Sequence, residues 1–326
     1  MAGRLSNAEL EELVRSLVQV HQESAGVQAR ELLVRALGSD SSRAQTKAVE
    51  IIGEQRLEGY EDLLLKAFEA AMGKGAKGDP GCGLKLALAE ALDFLDCLHP
   101  EPFLQGVVHR QMEASWGKPE DSAGPLRSRC GLALVRLRYP RVLDILADLL
   151  CDTEVNVRSA AAGSVAYHGD ERGTALLRLK LGLPEPEPDV TTDTLKALLA
   201  LDAAQGLVAA RRLLEGTGAG CHGALLALGE SRVAGALELL LGFASRTVID
   251  RDVQVVCLAL GSVRGKQARS ALLEMVATGS ESRVGHALEG LALIQGDPML
   301  AGDVRAAEAR NPETAFGRLL ERLFPE

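Results

Sequence analysis

A short motif that recurs along this chain constrains its fold more than any other feature. Three copies align without gaps, and a fourth shares their Gly-x-x-Arg core: Ile52-Gly53-Glu54-Gln55-Arg56, Leu228-Gly229-Glu230-Ser231-Arg232, Leu260-Gly261-Ser262-Val263-Arg264 and Gly169-Asp170-Glu171-Arg172. An Ala/Leu/Val-rich stretch precedes each glycine, and a Leu-rich stretch follows each arginine. Gly296-Asp297-Pro298 lies at the equivalent place near the end, without the arginine. Where no copy is skipped, neighbouring copies lie about 32 to 35 residues apart, which is the length of a two-helix repeat.

The motif predicts a pair of antiparallel helices in each repeat. A glycine after the last helical turn can adopt the left-handed conformation and end the helix, and a short polar turn then reverses the chain. Neither helix of a pair can bury its apolar stripe alone, so successive pairs must stack. The sequence therefore predicts an all-α fold, a right-handed α-α superhelix (solenoid) of about nine antiparallel helix pairs.

Apolar periodicity and capping residues give approximate boundaries for these helices. The predicted pairs are 25–38 with 41–54, 59–72 with 83–96, 100–114 with 126–138, 140–151 with 154–168, 171–181 with 190–202, 203–215 with 220–230, 232–244 with 250–262, 265–277 with 281–294, and 298–310 with 312–324. One HEAT-like repeat domain is expected over 1–326, with an N-terminal cap helix at 6–22, repeats over 25–296 and a C-terminal cap pair at 298–326. The pattern weakens between about 97 and 140, which leaves the repeat count there open.

One segment carries a resemblance to a known repeat family. The stretch from Leu149 to Ala161 has an apolar helix end, Asp152 in the turn, and Val157-Arg158 followed by small residues. It resembles the HEAT repeat, and the chain as a whole is similar to HEAT-like α-solenoids of the phycobilisome-lyase type. The resemblance implies that Asp152 and Arg158 belong to a ladder of side chains that ties one repeat to the next.

Composition narrows the class of protein further. Apolar residues make up 47% of the chain but aromatic residues only 3%, an Ala- and Leu-rich balance that favours packed helices over strands. The net charge of −9 argues against a nucleic-acid partner. Six cysteines without a CxxC pair, no secretory h-region and no apolar run of about 20 residues predict a cytoplasmic protein that does not bind a membrane.

Three long connections are expected between the first and second helices of their pairs, at Gly73–Gly83, Trp116–Pro125 and Gly182–Asp189. Because they occupy the same place in the repeat, they should emerge along one edge, and insertions gathered on one edge often bind partners. The third connection, Leu183-Pro184-Glu185-Pro186-Glu187-Pro188-Asp189, predicts a stiff acidic polyproline II segment.

A search for chemistry finds no catalytic pattern. The six histidines lack metal-ligand spacing, and the HExxH, GxSxG and GxGxxG motifs are absent. No His-Glu dipeptide occurs, unlike in the helical-repeat deoxyhypusine hydroxylases, and the single tryptophan does not fit an alkylpurine DNA glycosylase. The sequence therefore predicts no catalytic residue, cofactor or metal, and a protein that is not an enzyme. The alternative left open is a HEAT-like chromophore lyase, or a subunit of one, of the class that attaches bilins to phycobiliproteins.

The favoured function is a protein–protein interaction scaffold or adaptor that binds another protein along the concave face and the long connections. In HEAT-like arrays the second helices of the pairs line the concave face, and Arg127, Arg129 and Arg158 are expected to be exposed there. Partner contact is predicted at six residues: Phe103, Trp116, Arg127, Arg129, Tyr139 and Arg158. The identity of the partner, the oligomeric state and the face that binds stay open.

Overall fold

The computed structural model describes residues 12, 15–17, 27–263, 265–294, 299–311 and 322–323. Within these residues the chain is helical apart from turns, connections and one pair of two-residue strands. The predicted all-α class is confirmed. The chain divides into two compact units, Met1–Ser164 and Val165–Glu326.

Unit 1 is a stack of helices with one small strand pair inserted. Its elements are α1 (Val27–Leu37), α2 (Ser42–Glu54), α3 (Glu61–Met72), a 3-10 turn (Pro80–Cys82), α4 (Gly83–Phe94), α5 (Glu101–Gly106), β1 (Met112–Glu113), β2 (Glu120–Asp121), α6 (Gly124–Arg136) and α7 (Val142–Leu150). The next helix, α8 (Val155–His168), crosses the boundary between the units. Helices α2, α4 and α6 contact one another in sequence order and form one layer, against which α1, α3 and α5 pack.

Unit 2 repeats this two-layer arrangement. Its elements are α9 (Gly173–Gly182), α10 (Pro188–Leu201), α11 (Ala203–Leu214), α12 (Ala219–Glu230), α13 (Ala236–Arg246), α14 (Asp250–Ser262), α15 (Lys266–Thr278), α16 (Glu281–Ala292) and α17 (Leu300–Glu308). Here α10, α12, α14 and α16 form one layer, against which α9, α11, α13 and α15 pack. The helices of this layer, and α2, α4 and α6 of unit 1, are called B helices below, and the helices packed against them are called A helices. The apolar stripe of each helix is buried between the layers, as the repeat pattern predicts.

The structure gives the repeated glycines a role different from the predicted one. Gly53, Gly229 and Gly261 lie inside α2, α12 and α14 and do not end them. A Cβ at Gly229 would lie 2.5 Å from the carbonyl oxygen of Ala259 on the neighbouring B helix. The glycines therefore let the backbones of adjacent B helices approach each other closely, and only Gly169 adopts the predicted left-handed conformation after a helix.

In unit 1 the residues that end the B helices in the left-handed conformation are not glycines. Arg56, Asp96 and Arg138 have φ values of 49°, 54° and 51°. After α6, the N–H of Tyr139 bonds to the carbonyl of Leu134 and that of Arg138 to the carbonyl of Val135, both at 3.0 Å. This is the Schellman arrangement, which satisfies the last carbonyls of the helix. It places Arg138 in the left-handed conformation, which is strained for a residue with a Cβ.

The other differences between the predicted and the observed elements are confined to short segments. The helix predicted at 100–114 ends at Gly106, and the residues beyond it form the strand pair. The predicted polyproline segment after Gly182 is shorter than expected, because α10 begins at Pro188. The cap helix at 6–22 and the helix at 312–324 fall mostly outside the described residues, as do Gly296-Asp297-Pro298 and Arg264.

Candidate partner-binding site

A hairpin projects from unit 1 between α5 and α6, over residues 107–123. Its two strands pair antiparallel, with Met112 opposite Asp121 and Glu113 opposite Glu120. The Ser122 N–H bonds to the carbonyl of Gln111 at 2.9 Å and extends the pairing toward the helices. The connection at 114–119 carries Trp116, whose side chain is fully exposed. This hairpin, called the Trp116 hairpin below, presents the one tryptophan of the chain to solvent.

The base of the Trp116 hairpin is held by a network of buried charges. Asp121 accepts hydrogen bonds from Arg127 at 2.8 Å and from Arg110 at 3.1 Å. It also accepts the backbone N–H groups of Gln111 and Ala123, each at 3.0 Å. One carboxylate thus joins both ends of the hairpin to the first turn of α6.

The same two arginines bind a second carboxylate, that of Asp152. Arg127 donates through Nε and Nη2 to the two oxygens of Asp152, each at 2.9 Å. Arg110 reaches Asp152 through Nη2 at 3.0 Å, and Arg127 also donates to the His109 carbonyl. The network therefore connects the hairpin to the turn between α7 and α8, one repeat further along the chain.

Burial makes this network sensitive to the loss of any partner. The side chain of Arg127 is 1% exposed and that of Asp152 is 2% exposed. Burial by itself would raise the pKa of Asp152, but hydrogen bonds from Arg127 and the Glu154 N–H, with the arginine charges, lower it below its usual value. The pKa of Asp121 is lowered for the same reasons: backbone and arginine hydrogen bonds outweigh its desolvation. Both carboxylates are therefore ionised at neutral pH.

A second set of contacts ties the hairpin to the connection before α4. Lys85, fully buried, donates to Asp79 at 3.1 Å and to the side chain of Gln111 at 2.8 Å. Glu113 accepts from the Gly81 N–H at 2.7 Å and from Ser122 Oγ at 2.6 Å. The first predicted long connection, Gly73–Gly83, is thus bonded to Gln111 and Glu113 of the Trp116 hairpin.

Of the six residues predicted to contact a partner, the structure exposes Trp116 fully. Phe103 is buried in the core of unit 1. Tyr139 is half-buried after α6, and Arg129 is half-buried between Glu90 and Asp93, at 2.9 and 3.2 Å. The contact prediction itself is not tested by these positions.

The expectation that Arg127 and Arg158 lie exposed on a helix face is wrong. Arg127 is enclosed by the network described above. Arg158 is 9% exposed, and its guanidinium donates to the carbonyls of Asp152 and Thr153 at 2.9 and 3.0 Å. Arg127 is buried because two carboxylates face it, and Arg158 because the carbonyls of the turn before α8 face it. Helical periodicity carries no information about such partners.

The sequence reasoning missed the residues that fix the hairpin: Asp79, Lys85, Gln111 and Asp121. A signal was present at Lys85, which interrupts the apolar run Leu84 to Leu88 at a position facing the core. A lysine there requires a buried partner, since an unpaired buried charge is costly. Nothing in the local sequence identifies Asp79 and Gln111 as the partners.

A polar cluster on α14 and α16 has the residue types of a hydrolase but not the arrangement. His286 Nε2 lies 3.4 Å from Ser282 Oγ and 3.2 Å from Asp250 Oδ1. The Ser282 hydroxyl itself donates to Asp250. Because Ser282 and Asp250 share one nitrogen of the ring, the histidine is not oriented to deprotonate the serine. Among the described residues no group of three or more His, Cys, Asp or Glu side chains could hold a metal ion.

Comparisons with known proteins give a distant likeness of fold. No family model matches the chain, and no curated protein matches its sequence. Its structure is similar to the complex of CpcE and CpcF of phycocyanin lyase from Nostoc sp. PCC7120, at 18% identity and a TM-score of 0.33, over 88% of this chain and 96% of that one. It is also similar to an engineered protein, at 15% identity and a TM-score of 0.31, over 85% and 81% of the two chains. The helices described above show by themselves a helical, repeat-like fold.

The prediction that this chain is not an enzyme is corrected by the first of these comparisons. It rested on absent motifs, and a chain with a similar helical arrangement is part of a lyase. Absent motifs by themselves carry no conclusion about catalysis. None of the described helices is both long enough and apolar enough to cross a bilayer.

Proposed function

We propose that this chain binds another protein through the Trp116 hairpin. The observation that carries the proposal is a fully exposed tryptophan on a hairpin whose base is fixed by buried ion pairs. Tryptophan is among the residues most enriched at energetic hot spots of protein interfaces. Exposing its indole to water is unfavourable for the free protein, and enclosure by a partner would reverse that.

The fixed base of the hairpin supports this function in a second way. Binding costs less free energy when the contact residues are already held in place. Asp121, Gln111 and Glu113 fix the strands, while Trp116 and its neighbours at 114–119 are exposed. Val108 and Met112, both largely exposed, add apolar surface on the same hairpin.

We propose further that the repeats are of HEAT type. The contact between Arg127 on α6 and Asp152 in the next repeat supports this, because it joins adjacent repeats as the resemblance implies. The partner we propose is a protein and not a nucleic acid, since the chain carries a net charge of −9. A cytoplasmic location remains part of this proposal.

The experiment uses the single tryptophan as its own reporter. Candidate partners are captured from native lysate on the wild-type chain, and in parallel on Trp116→Ala and Trp116→Phe variants. Each captured protein is then titrated into the wild-type chain while tryptophan emission and acrylamide quenching are followed. We expect a blue shift, protection from quenching, binding lost in Trp116→Ala and partly kept in Trp116→Phe. A partner that binds Trp116→Ala as well as it binds wild type would refute the proposal.

The chromophore-lyase alternative can be examined with the same preparation. A bilin added to the purified chain would develop a protein-induced absorbance change if the chain handles such a ligand. An absorbance change that Trp116→Ala leaves intact would place that activity elsewhere on the chain and leave the hairpin proposal to the emission experiment.

A further inference from the structure

A groove lies between α9 and α11, two of the A helices of unit 2. It encloses about 340 Å³, close to the lower end of ligand clefts. Successive A helices of unit 2 make few contacts with each other, and α9 and α11 leave this space between them. Its lining consists of Ala175, Arg178, Leu179, Gln205, Val208, Ala209 and Arg212.

The apolar part of the lining is exposed. Leu179 is 63% exposed and Val208 is 58% exposed. On α9 the lining residues follow the spacing i, i+3, i+4, and on α11 the spacing i, i+3, i+4, i+7, so each helix contributes one continuous face. Two parallel ridges with a groove between them match the shape of a third helix laid along them.

The charge of the groove is positive on a chain that is acidic overall. Arg178 and Arg212 are exposed, and no carboxylate belongs to the lining. Arg178 forms no ion pair with any residue of the described ranges. The guanidinium of Arg212 makes one long hydrogen bond, 3.4 Å, to the Leu181 carbonyl, which leaves its other donors open. Of the other cations of unit 2, Arg172 and Lys196 have carboxylate partners, whereas the exposed Arg211 and Arg251 form no ion pair within the described ranges.

We infer that this groove docks an acidic amphipathic helix of another protein. Leucine-sized side chains at i and i+4 of that helix would contact Leu179 and Val208. Carboxylates flanking this apolar stripe would pair with Arg178 and Arg212. This site lies in unit 2 and does not depend on the Trp116 hairpin, so either proposal can fail without the other.

The test uses a synthetic probe, because the natural partner is unidentified. The probe is a fluorescent alanine-based peptide of roughly 15 residues, long enough to populate a helix, with Leu at i and i+4 and Glu on either side of that stripe. Two control peptides carry Lys in place of each Glu, or Ser in place of each Leu. Binding is followed by fluorescence anisotropy at low and high salt, since paired surface charges weaken as salt rises.

Four chains are compared: wild type, Arg178→Glu/Arg212→Glu, Leu179→Asp, and Arg251→Glu as the matched control. Arg251 is an exposed arginine on α14 outside the groove. We expect the acidic peptide to bind wild type and Arg251→Glu with the same affinity. Its affinity for Arg178→Glu/Arg212→Glu should be about tenfold lower, or lower still. Leu179→Asp should weaken binding too. The Lys peptide should prefer the charge-reversed chain, which shows that this variant is folded and that the groove charge selects the ligand.

Three outcomes would overturn the inference. The first is no binding of the acidic peptide to wild type, and the second is binding that the groove substitutions leave unchanged. The third is self-association of the wild-type chain, measured by sedimentation, that Arg178→Glu/Arg212→Glu abolishes. That result would identify the occupant as a second copy of this chain.

Discussion

The close approach of the B helices in unit 2 leads to a sharp prediction at Gly229. A Cβ there would lie 2.5 Å from the carbonyl oxygen of Ala259 and 2.8 Å from its Cα. Carbon contacts are most favourable at about 3.5–4.0 Å, so α12 and α14 would have to separate by about 1 Å in Gly229→Ala. Backbone atoms cannot rotate away as a side chain can, so the substitution disrupts the packing between two neighbouring helices of the B layer.

The magnitude follows from two opposing effects. Overpacking costs about 1–3 kcal/mol, and the upper value applies where backbone obstructs the new methyl group. Alanine gains about 1 kcal/mol over glycine within a helix. We therefore expect Gly229→Ala to lower the free energy of unfolding by about 2 kcal/mol. Gly242 supplies the matched control, because it lies inside α13 with open space around its Cβ position. Gly242→Ala should raise stability by about 1 kcal/mol.

The assay is thermal and urea unfolding followed by far-ultraviolet circular dichroism. Both glycines lie in unit 2, Val165–Glu326, and a cooperative unit of that size changes in Tm by about 2–4 °C per kcal/mol. The two variants should therefore differ in Tm by roughly 6–12 °C. A third variant, Gly229→Asn, distinguishes a glycine that ends the helix from a glycine that permits close approach of two helices. If Gly229 ended its helix in the left-handed conformation, Gly229→Asn would be milder than Gly229→Ala, because asparagine tolerates that conformation. If it permits close approach, the larger asparagine should be worse. A Gly229→Ala chain as stable as Gly242→Ala would refute the reasoning.

Three further predictions concern the hairpin and its surroundings. Arg138→Gly should raise stability by roughly 0.5–1 kcal/mol in urea unfolding, because glycine relieves the left-handed strain, and Arg138→Ala should not. Asp152→Asn should cost about 3 kcal/mol at neutral pH by leaving Arg127 partly unpaired in the interior. Because folding lowers the pKa of Asp152, its stabilisation is present above an unfolded pKa of about 3.9 and is lost as pH falls through the lower folded value. Melting curves from neutral to acidic pH should therefore show Asp152→Asn and wild type converging below about pH 4, and parallel curves would contradict this. Trp116→Ala should change the free energy of unfolding by less than about 0.5 kcal/mol while removing partner binding, and a large loss of stability would mean that the indole packs against the protein.

The helices and their order can be predicted from local sequence alone. Most predicted helices lie within a few residues of those observed, for example 250–262 and α14, because helix formation depends on apolar spacing and capping over short distances. Asp202 caps α11 through the Gln205 N–H at 3.0 Å, and such a cap involves neighbours in the chain. The exposed position of Trp116 in a connection also followed from local sequence.

Where two roles fit the local sequence of a residue, contacts with residues distant in the chain select one of them. Gly229 suits a helix end or a close helix approach, and Ala259, thirty residues later, selects the second. Arg127 suits an exposed helix face or a buried ion pair, and Asp121 and Asp152 bring it inside. The run after Gly106 continues a helical pattern, yet its backbone at Gln111 bonds to Asp121. In each case the deciding contact joins residues that the fold brings together, and local periodicity carries no information about it.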